Sequence, residues 1–419
     1  MSRKNIVAGI DIGNSTVKTL IAEIKEDSER PHILGAGIAS SNGLRRGVVI
    51  DMAETIEDVR KSVAQAENSA GIKIKKAYAS ISGPHIRNQI SRGVIAVSRA
   101  DNEISEFDIQ RVLDAASTIS LPPNREIIHT IPKKFIIDGQ EFFKNPVGMT
   151  GIRLEADVMI IDALTPYLKS LAKTINENGI EVAEFIYSPL ASAKAILNKR
   201  AREHGALCLD FGGGLCNLAV FQEGELIHAA SLPIGSKNIT NDLAIAMKIS
   251  LDHAEKVKIE HGYIGNIPSG KKDTLDLSEL VEEENFTVPK KLLGEVISDR
   301  ISEITDMISA ELKKTSTASH GLSRPMLAGG TILSGGGTNI TGFADYIKEK
   351  LKLPARKISS YEFDGIVDKI SDPSWACTAG LVLWGMEKEF KGSEKGIFES
   401  FGSNKTFKKL KDWFRIFLP

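Results

Sequence analysis

"ALCLDFGGGLCNLAVF", residues 206–221, sets three consecutive glycines between two apolar runs, with Asp210 two places ahead of them. Glycine packs no side chain and loses the most backbone entropy on folding, so it weakens any strand that carries it. Gly212, Gly213 and Gly214 at the bend of an otherwise good hairpin therefore serve something beyond the bend. Backbone N–H groups in a tight glycine turn can converge on an anion with no side chain in the way. An acid at the head of such a turn can hold Mg²⁺ through water beside phosphates.

The pattern occurs twice. "NIVAGIDIG" followed by "VKTLIAEI" reads as a hairpin about the turn Gly13, Asn14, Ser15, headed by Asp11. Amphipathic helical stretches follow each hairpin, as in "AETIEDVRKSVAQAENSAG" and "TPYLKSLAKTINENG". Strand-like and helix-like segments alternate, which predicts an α/β chain made of two related halves. A third run, Gly335, Gly336 and Gly337 in "TILSGGGTNITGF", follows an apolar strand and precedes a helical pattern. That placement suits backbone approach to a nucleotide's α-phosphate and base. One glycine loop alone reads as an ordinary turn. Three of them, two being Asp-x-Gly hairpins in matching halves, point to a nucleotide and Mg²⁺ gripped between domains, with Asp11 and Asp210 as the metal-facing acids.

A chain of 419 residues exceeds a single small core. Its net charge of -1 excludes a general nucleic-acid binder, which carries a basic excess. Cys208, Cys216 and Cys377 form no CxxC pair and sit in apolar runs, as small buried hydrophobes do in a reducing compartment. The N-terminus lacks a signal-peptide apolar stretch, and no apolar run reaches the roughly 18 residues of a membrane span. Synthesis and residence in the cytoplasm are expected.

Two stretches read as insertions: 84–162, with one helix and several strands, and 239–325, mainly helical and charged. After "WACTAGLVLWGMEKEF" the composition shifts to a Gly/Ser-containing linker, 391–403, and a basic-aromatic tail, 404–419. In that tail Phe407, Leu410, Phe414 and Phe417 fall on one helical stripe, which Trp413 widens, while five cations occupy the remaining surface. An aromatic and leucine stripe opposite a lysine face describes a helix lying in the interface of an anionic membrane.

These loops resemble those of the actin, sugar-kinase and chaperone ATPase superfamily over nearly the whole chain. "IDIGNSTVK" is similar to its first phosphate loop, with Lys18 facing phosphate; "LDFGGGLCN" is similar to the second, and "LSGGGTNI", ending in Asn339, to the adenosine loop. "HAEKVKIEHG" adds the adenosine-contacting pair Glu255 and Lys258, which share a helix face. Within the superfamily, "IPKKFIIDGQ" and "NPVGMTGIRLEADVMII" resemble the small inserted subdomain of the FtsA family of bacterial cell-division proteins.

That resemblance implies an actin-like fold of two ribonuclease-H-like halves. Subdomain 1A would comprise 1–83 with 163–202 and 365–390; 1C, 84–162; 2A, 203–238 with 326–364; and 2B, 239–325. It further implies ATP and Mg²⁺ as ligands, self-association into filaments, recruitment of later division proteins, and a peripheral position on the inner membrane at the septum. The C-terminal peptide of FtsZ would bind the helical insert, Arg300 included. Rival readings are a pilus-assembly adaptor of PilM type and a small-molecule kinase on the same fold. The chain departs from the superfamily pattern where Leu215 and Asn217 replace the usual Thr and Asp, and where Ser188 replaces an acid that orients the attacking water. Serine is a feeble general base, so the departures imply a switch with slow turnover, unless a neighbour such as Asp162 supplies the missing carboxylate.

Overall fold

Strand Asn5–Ile12 turns at residues 13–15 and returns antiparallel as Thr16–Ile24, with Asp11 paired opposite Lys18. Strand Ala206–Phe211 turns at residues 212–214 and returns as Cys216–Gln222, with Asp210 opposite Asn217. Both turns close in the same way: the Gly13 amide donates to the Thr16 carbonyl at 3.0 Å, and the Gly212 amide to the Leu215 carbonyl at 3.0 Å. The repeat read from the sequence is therefore a repeat in register. Thr16 is the counterpart of Leu215, and Lys18 of Asn217.

The computed structural model describes residues 5–25, 28, 30–143, 145–265, 273–281, 286–318, 327–358 and 361–390. The predicted linker and membrane helix, with Phe407, Leu410, Trp413, Phe414 and Phe417, lie outside the described residues.

Each hairpin opens a sheet of like order. In the first half the strands run Glu181–Tyr187, Lys76–Ile81, Asn5–Ile12, Thr16–Ile24 and His32–Ser40, edged by Asp364–Gly365. In the second they run Ala355–Lys357, Thr331–Ser334, Ala206–Phe211, Cys216–Gln222 and Glu225–Leu232. In both, a three-stranded antiparallel meander is extended by two parallel strands. The parallel strands demand crossovers, and helices supply them, covering the sheet faces.

Helix Met52–Ala70 starts where Asp51 accepts the Glu54 amide at 2.9 Å and stops at Gly71, whose φ of 69° suits glycine. It lies so close to strand His32–Ser40 that a Cβ on Gly37 would stand 2.0 Å from the Ser62 carbonyl. Glycine there is what permits the approach.

The insert leaves the first half after strand Lys76–Ile81, at the position where strand Thr331–Ser334 of the second half leads into the third glycine run. It forms its own sheet, ordered Arg87–Ala96, Arg153–Leu164, Arg125–Ile137 and Gln140–Phe143. Helix Glu106–Ser117, opened by a capping box between Ser105 and Asp108, covers one face, over a separate core that includes Val112, Phe135 and Val158. In the second half, Leu293, Ile297, Ile301, Ile304 and Ile308 recur at helical spacing along helix Lys290–Ala318 and are all buried. The three cysteines are free and buried, as their apolar surroundings predicted.

Candidate functional site

The two hairpin turns face each other across a cleft of about 360 Å³ between the halves. They are close enough that a Cβ on Gly213 would stand 2.0 Å from Ser15 Oγ, and one on Gly214 would stand 2.8 Å from the Asn14 amide carbon. Lys237 ties the halves further, its ammonium donating to the Asn14 carbonyl at 2.7 Å. Its own amide and that of Ser236 donate to the Gly213 and Gly212 carbonyls at 2.8 and 2.9 Å.

Asp11 and Asp210 head the two turns and both line the cleft. Ser80 Oγ donates to Asp11 at 2.6 Å, and Ser192 Oγ to Asp210 at 3.0 Å. Burial, reinforced by the charge of Asp11, pushes the Asp210 carboxyl up to about 6. The buried Asp210 and the half-buried Asp11 repel one another and make a site that a cation relieves. Lys18 meets part of that need. It is 5% exposed and donates to Thr16 Oγ1 at 2.8 Å, with burial pulling its ammonium below the ordinary lysine range against Asp11, Asp372 and Asp210.

Glu255 and Lys258 do share a face and line the cleft. Lys258 donates to Glu255 at 2.6 Å, to Thr240 Oγ1 at 2.9 Å and to the Ser236 carbonyl at 3.3 Å. The third glycine run ends strand Thr331–Ser334 and forms a single 3-10 turn, Gly336–Asn339. Gly335, at φ 89°, lies against Asp210 and Phe211, and Gly337 lies against the Phe211 ring. Gly336 is the open one: a Cβ there meets only Ser374 Cβ, at 3.7 Å.

Of the predicted cleft residues, Asp11, Gly13, Asn14, Ser15, Lys18, Asp210, Gly212, Gly213, Asn217, Glu255, Lys258, Gly335, Gly336, Gly337 and Asn339 line this space. Gly214 does not; it lies against Asn14. Leu215 and Ser188 also line it, Ser188 Oγ donating to the Ile81 carbonyl at 3.2 Å. Asp162 is not among the lining residues. It is buried in an ion pair with Arg125 at the base of the insert, and so does not supply a carboxylate to the cleft. Arg300 lies on the helical insert in a forked pair with Asp242, at 2.5 and 2.9 Å, and in a second pair with Glu303.

Sequence reasoning passed over Lys237 and the segment Asp372–Trp375. Gly335 donates its amide to the Pro373 carbonyl at 2.9 Å, Asn339 donates to Asp372 at 2.8 Å, and Trp375 lies near Lys18 with its ring centroid 5.8 Å from the ammonium. The Asp-Pro step was the available signal, since Asp caps and Pro opens a short helix there.

Residues 83–162 match the family model "SHS2 domain inserted in FTSA", and residues 207–380 match the model "Cell division protein FtsA". The cell division protein FtsA of Borreliella burgdorferi is 34% identical over 99% of this chain and 99% of its own. That of Pseudomonas aeruginosa is 30% identical over 97% of both. The chain belongs to the FtsA family. It is thus an actin-like cell-division protein, and FtsA membership accounts for the insert after strand Lys76–Ile81. Solved structures agree on the fold. A PilM–PilN type IV pilus biogenesis complex aligns at TM-score 0.63 and 14% identity, covering 90% of this chain and 98% of that one. MreB 5 of Spiroplasma citri bound to AMPPNP aligns at TM-score 0.53 and 14% identity, covering 94% and 98%. No described helix of this FtsA-family chain is long and apolar enough to cross a membrane.

Proposed function

We propose that this chain binds ATP with Mg²⁺ in the cleft between its halves and tethers FtsZ polymers to the inner face of the cytoplasmic membrane. The observation that carries the nucleotide reading is the pair of matched turns, facing one another with Asp11 and Asp210 at their heads. The turn amides and Lys18 would hold the β- and γ-phosphates, the third glycine run with Glu255 and Lys258 the adenosine, and Asp11 and Asp210 the waters of the metal. Bound Mg²⁺ would supply charge neutralisation between the carboxylates and the phosphates. Support for the ligand class comes from the fold shared with an MreB solved with AMPPNP.

Leu215 holds no water and Asn217 brings no charge, so this chain keeps the grip and weakens the machinery of hydrolysis. With Ser188 bonded to a backbone carbonyl and Asp162 tied to Arg125, the reading is a nucleotide switch with slow turnover. Self-association, the contact of 84–162 with neighbouring subunits and later division proteins, and the membrane helix 404–419 complete it by family membership.

Calorimetry tests the cleft. Gly336→Val adds its side chain into open space and should lower affinity for MgATP at least ten-fold with an unchanged melting temperature; unchanged affinity in a folded variant overturns the assignment. Co-sedimentation with FtsZ polymers tests Arg300, which should pellet less as Arg300→Glu while ATP binding holds. Since Arg300→Glu also sets an acid against Asp242 and Glu303, Arg300→Gln is the matched variant, and equal pelleting of both with wild type would misplace the contact.

A further inference from the structure

The insert is covalently part of the first half, yet its polar contacts reach across to the second. They converge on one edge strand, Glu225–Leu232. Asn88 of the insert donates its amide to the Ala229 carbonyl at 2.6 Å. Lys133, on insert strand Arg125–Ile137, donates to the Leu226 carbonyl and stands 3.9 Å from Glu225. Its side chain is only 14% exposed, and these oxygens offset part of its desolvation.

The far end of the same strand reaches Asn217, which lines the cleft. Ser231 Oγ donates to Asn217 Oδ1 at 2.7 Å, which leaves the Asn217 NH2 for the Asp210 carboxylate that it stands opposite in the hairpin and whose charged form it favours. The Tyr187 hydroxyl stands 3.1 Å from Ser231 Oγ and supplies the proton that Ser231 can still accept. The Tyr187 amide in turn donates at 2.9 Å to His129 Nε2, on the insert strand that carries Lys133. Two connected routes thus join the insert to Asp210, one along the strand and one through Tyr187.

Resting on the nucleotide reading of the cleft, we propose that strand Glu225–Leu232 is a lever between the insert and the cleft. Ser231 is its positioning residue for Asn217 and Asp210, and Asn88 and Lys133 are its grip on the insert. When the halves rotate about a bound nucleotide, either the strand carries the insert with it or the Asn88 and Lys133 bonds break. Linkage then requires that a change at the insert alter affinity in the cleft, although no insert residue named here lines it.

The test uses the full chain. Asn88→Ala with Lys133→Met should weaken MgATP binding by calorimetry about five-fold or more, the usual scale of such coupling. Lys133→Arg, which keeps a donor, should restore most of it when combined with native Asn88. Hydrogen exchange on nucleotide-free protein gives a second arm. The double variant should speed exchange at turn 212–217, and Ser231→Ala, which touches no insert residue, should speed it on insert strand Arg125–Ile137. Unchanged exchange at both distant places, in variants that melt like wild type, overturns the lever. If the wild type binds no ATP, the nucleotide reading fails, and the exchange arm still decides the coupling. If the double variant misfolds, Ser231→Ala and the single variant Asn88→Ala carry the test on the same readouts.

Discussion

Asn217 shows how much one atom decides. The amide at this position accepts from Ser231 and stands opposite Asp210 in the hairpin; a carboxylate would place a third negative charge beside Asp210 and Asp11. Combining Leu215→Thr with Asn217→Asp restores the superfamily pattern and should therefore lower the melting temperature of nucleotide-free protein at neutral pH. Mg²⁺ with ATP should recover most of that loss, and phosphate release should rise. Differential scanning calorimetry with and without Mg²⁺ checks the first two, and a phosphate assay the third. A wild-type rate of about 10 s⁻¹ or more would contradict the slow switch.

Glu311 gives a pH prediction of known sign. Its hydrogen bond from His228, with Lys314 also near, holds the Glu311 carboxyl down at about 2. A depressed folded pKa means stability that is present above the unfolded value near 4.5 and lost as pH falls toward 2. Glu311→Gln should cost on the order of 2 kcal/mol at pH 7, after allowance for partial exposure. The gap from wild type should close between about pH 4.5 and 2, read from urea melts.

Elements were far more legible than the contacts between them. The paired hairpins could be read because strand periodicity, turn glycines and the leading acid all lie within about twenty residues. The helical character of the stretch 239–325 was visible for the same reason, the buried isoleucines of helix Lys290–Ala318 recurring at local spacing. Lys237 was not, because the carbonyl it reaches lies 223 residues away, on Asn14. Nor could spacing separate the glycines of one run by role. Gly335 and Gly337 allow close packing on Phe211, while Gly336 faces open space. Gly336→Val should therefore lose ligand and keep its fold, whereas Gly213→Val, forced against Ser15, should lose stability and ligand together. Paired melting and calorimetry on the two variants separate those roles.

At the scale of the whole molecule, the tail 404–419 and the cleft are expected to act separately. Fully burying a Phe or Leu side chain is worth roughly 1.5–3 kcal/mol, and an interfacial helix buries each only in part. On the proposed reading one tail would be a marginal anchor, and many tails on a polymer would form a strong one. Truncation before Asn404, or Trp413→Glu with Phe414→Glu, should release the protein from anionic liposomes and leave ATP affinity unchanged. Moderate salt should weaken wild-type flotation without abolishing it, since screening acts on the cations alone. Equal flotation of truncated and full chains would refute the anchor.

The two sheets share a strand order, and that likeness raises a question of orientation. A cleft between matching halves offers a polar ligand two nearly equivalent ways to lie, head toward either side. This chain removes the ambiguity at two places. Asn217 is the counterpart of Lys18 across the pseudo-symmetry, so only one of the two hairpins carries a lysine beside its leading acid. The strand that ends in Gly335 on one half ends on the other in the connection to the insert. On the proposed reading a triphosphate would find a cradle for its nucleoside in one direction alone, and the corresponding place on the opposite half is the root of the inserted domain.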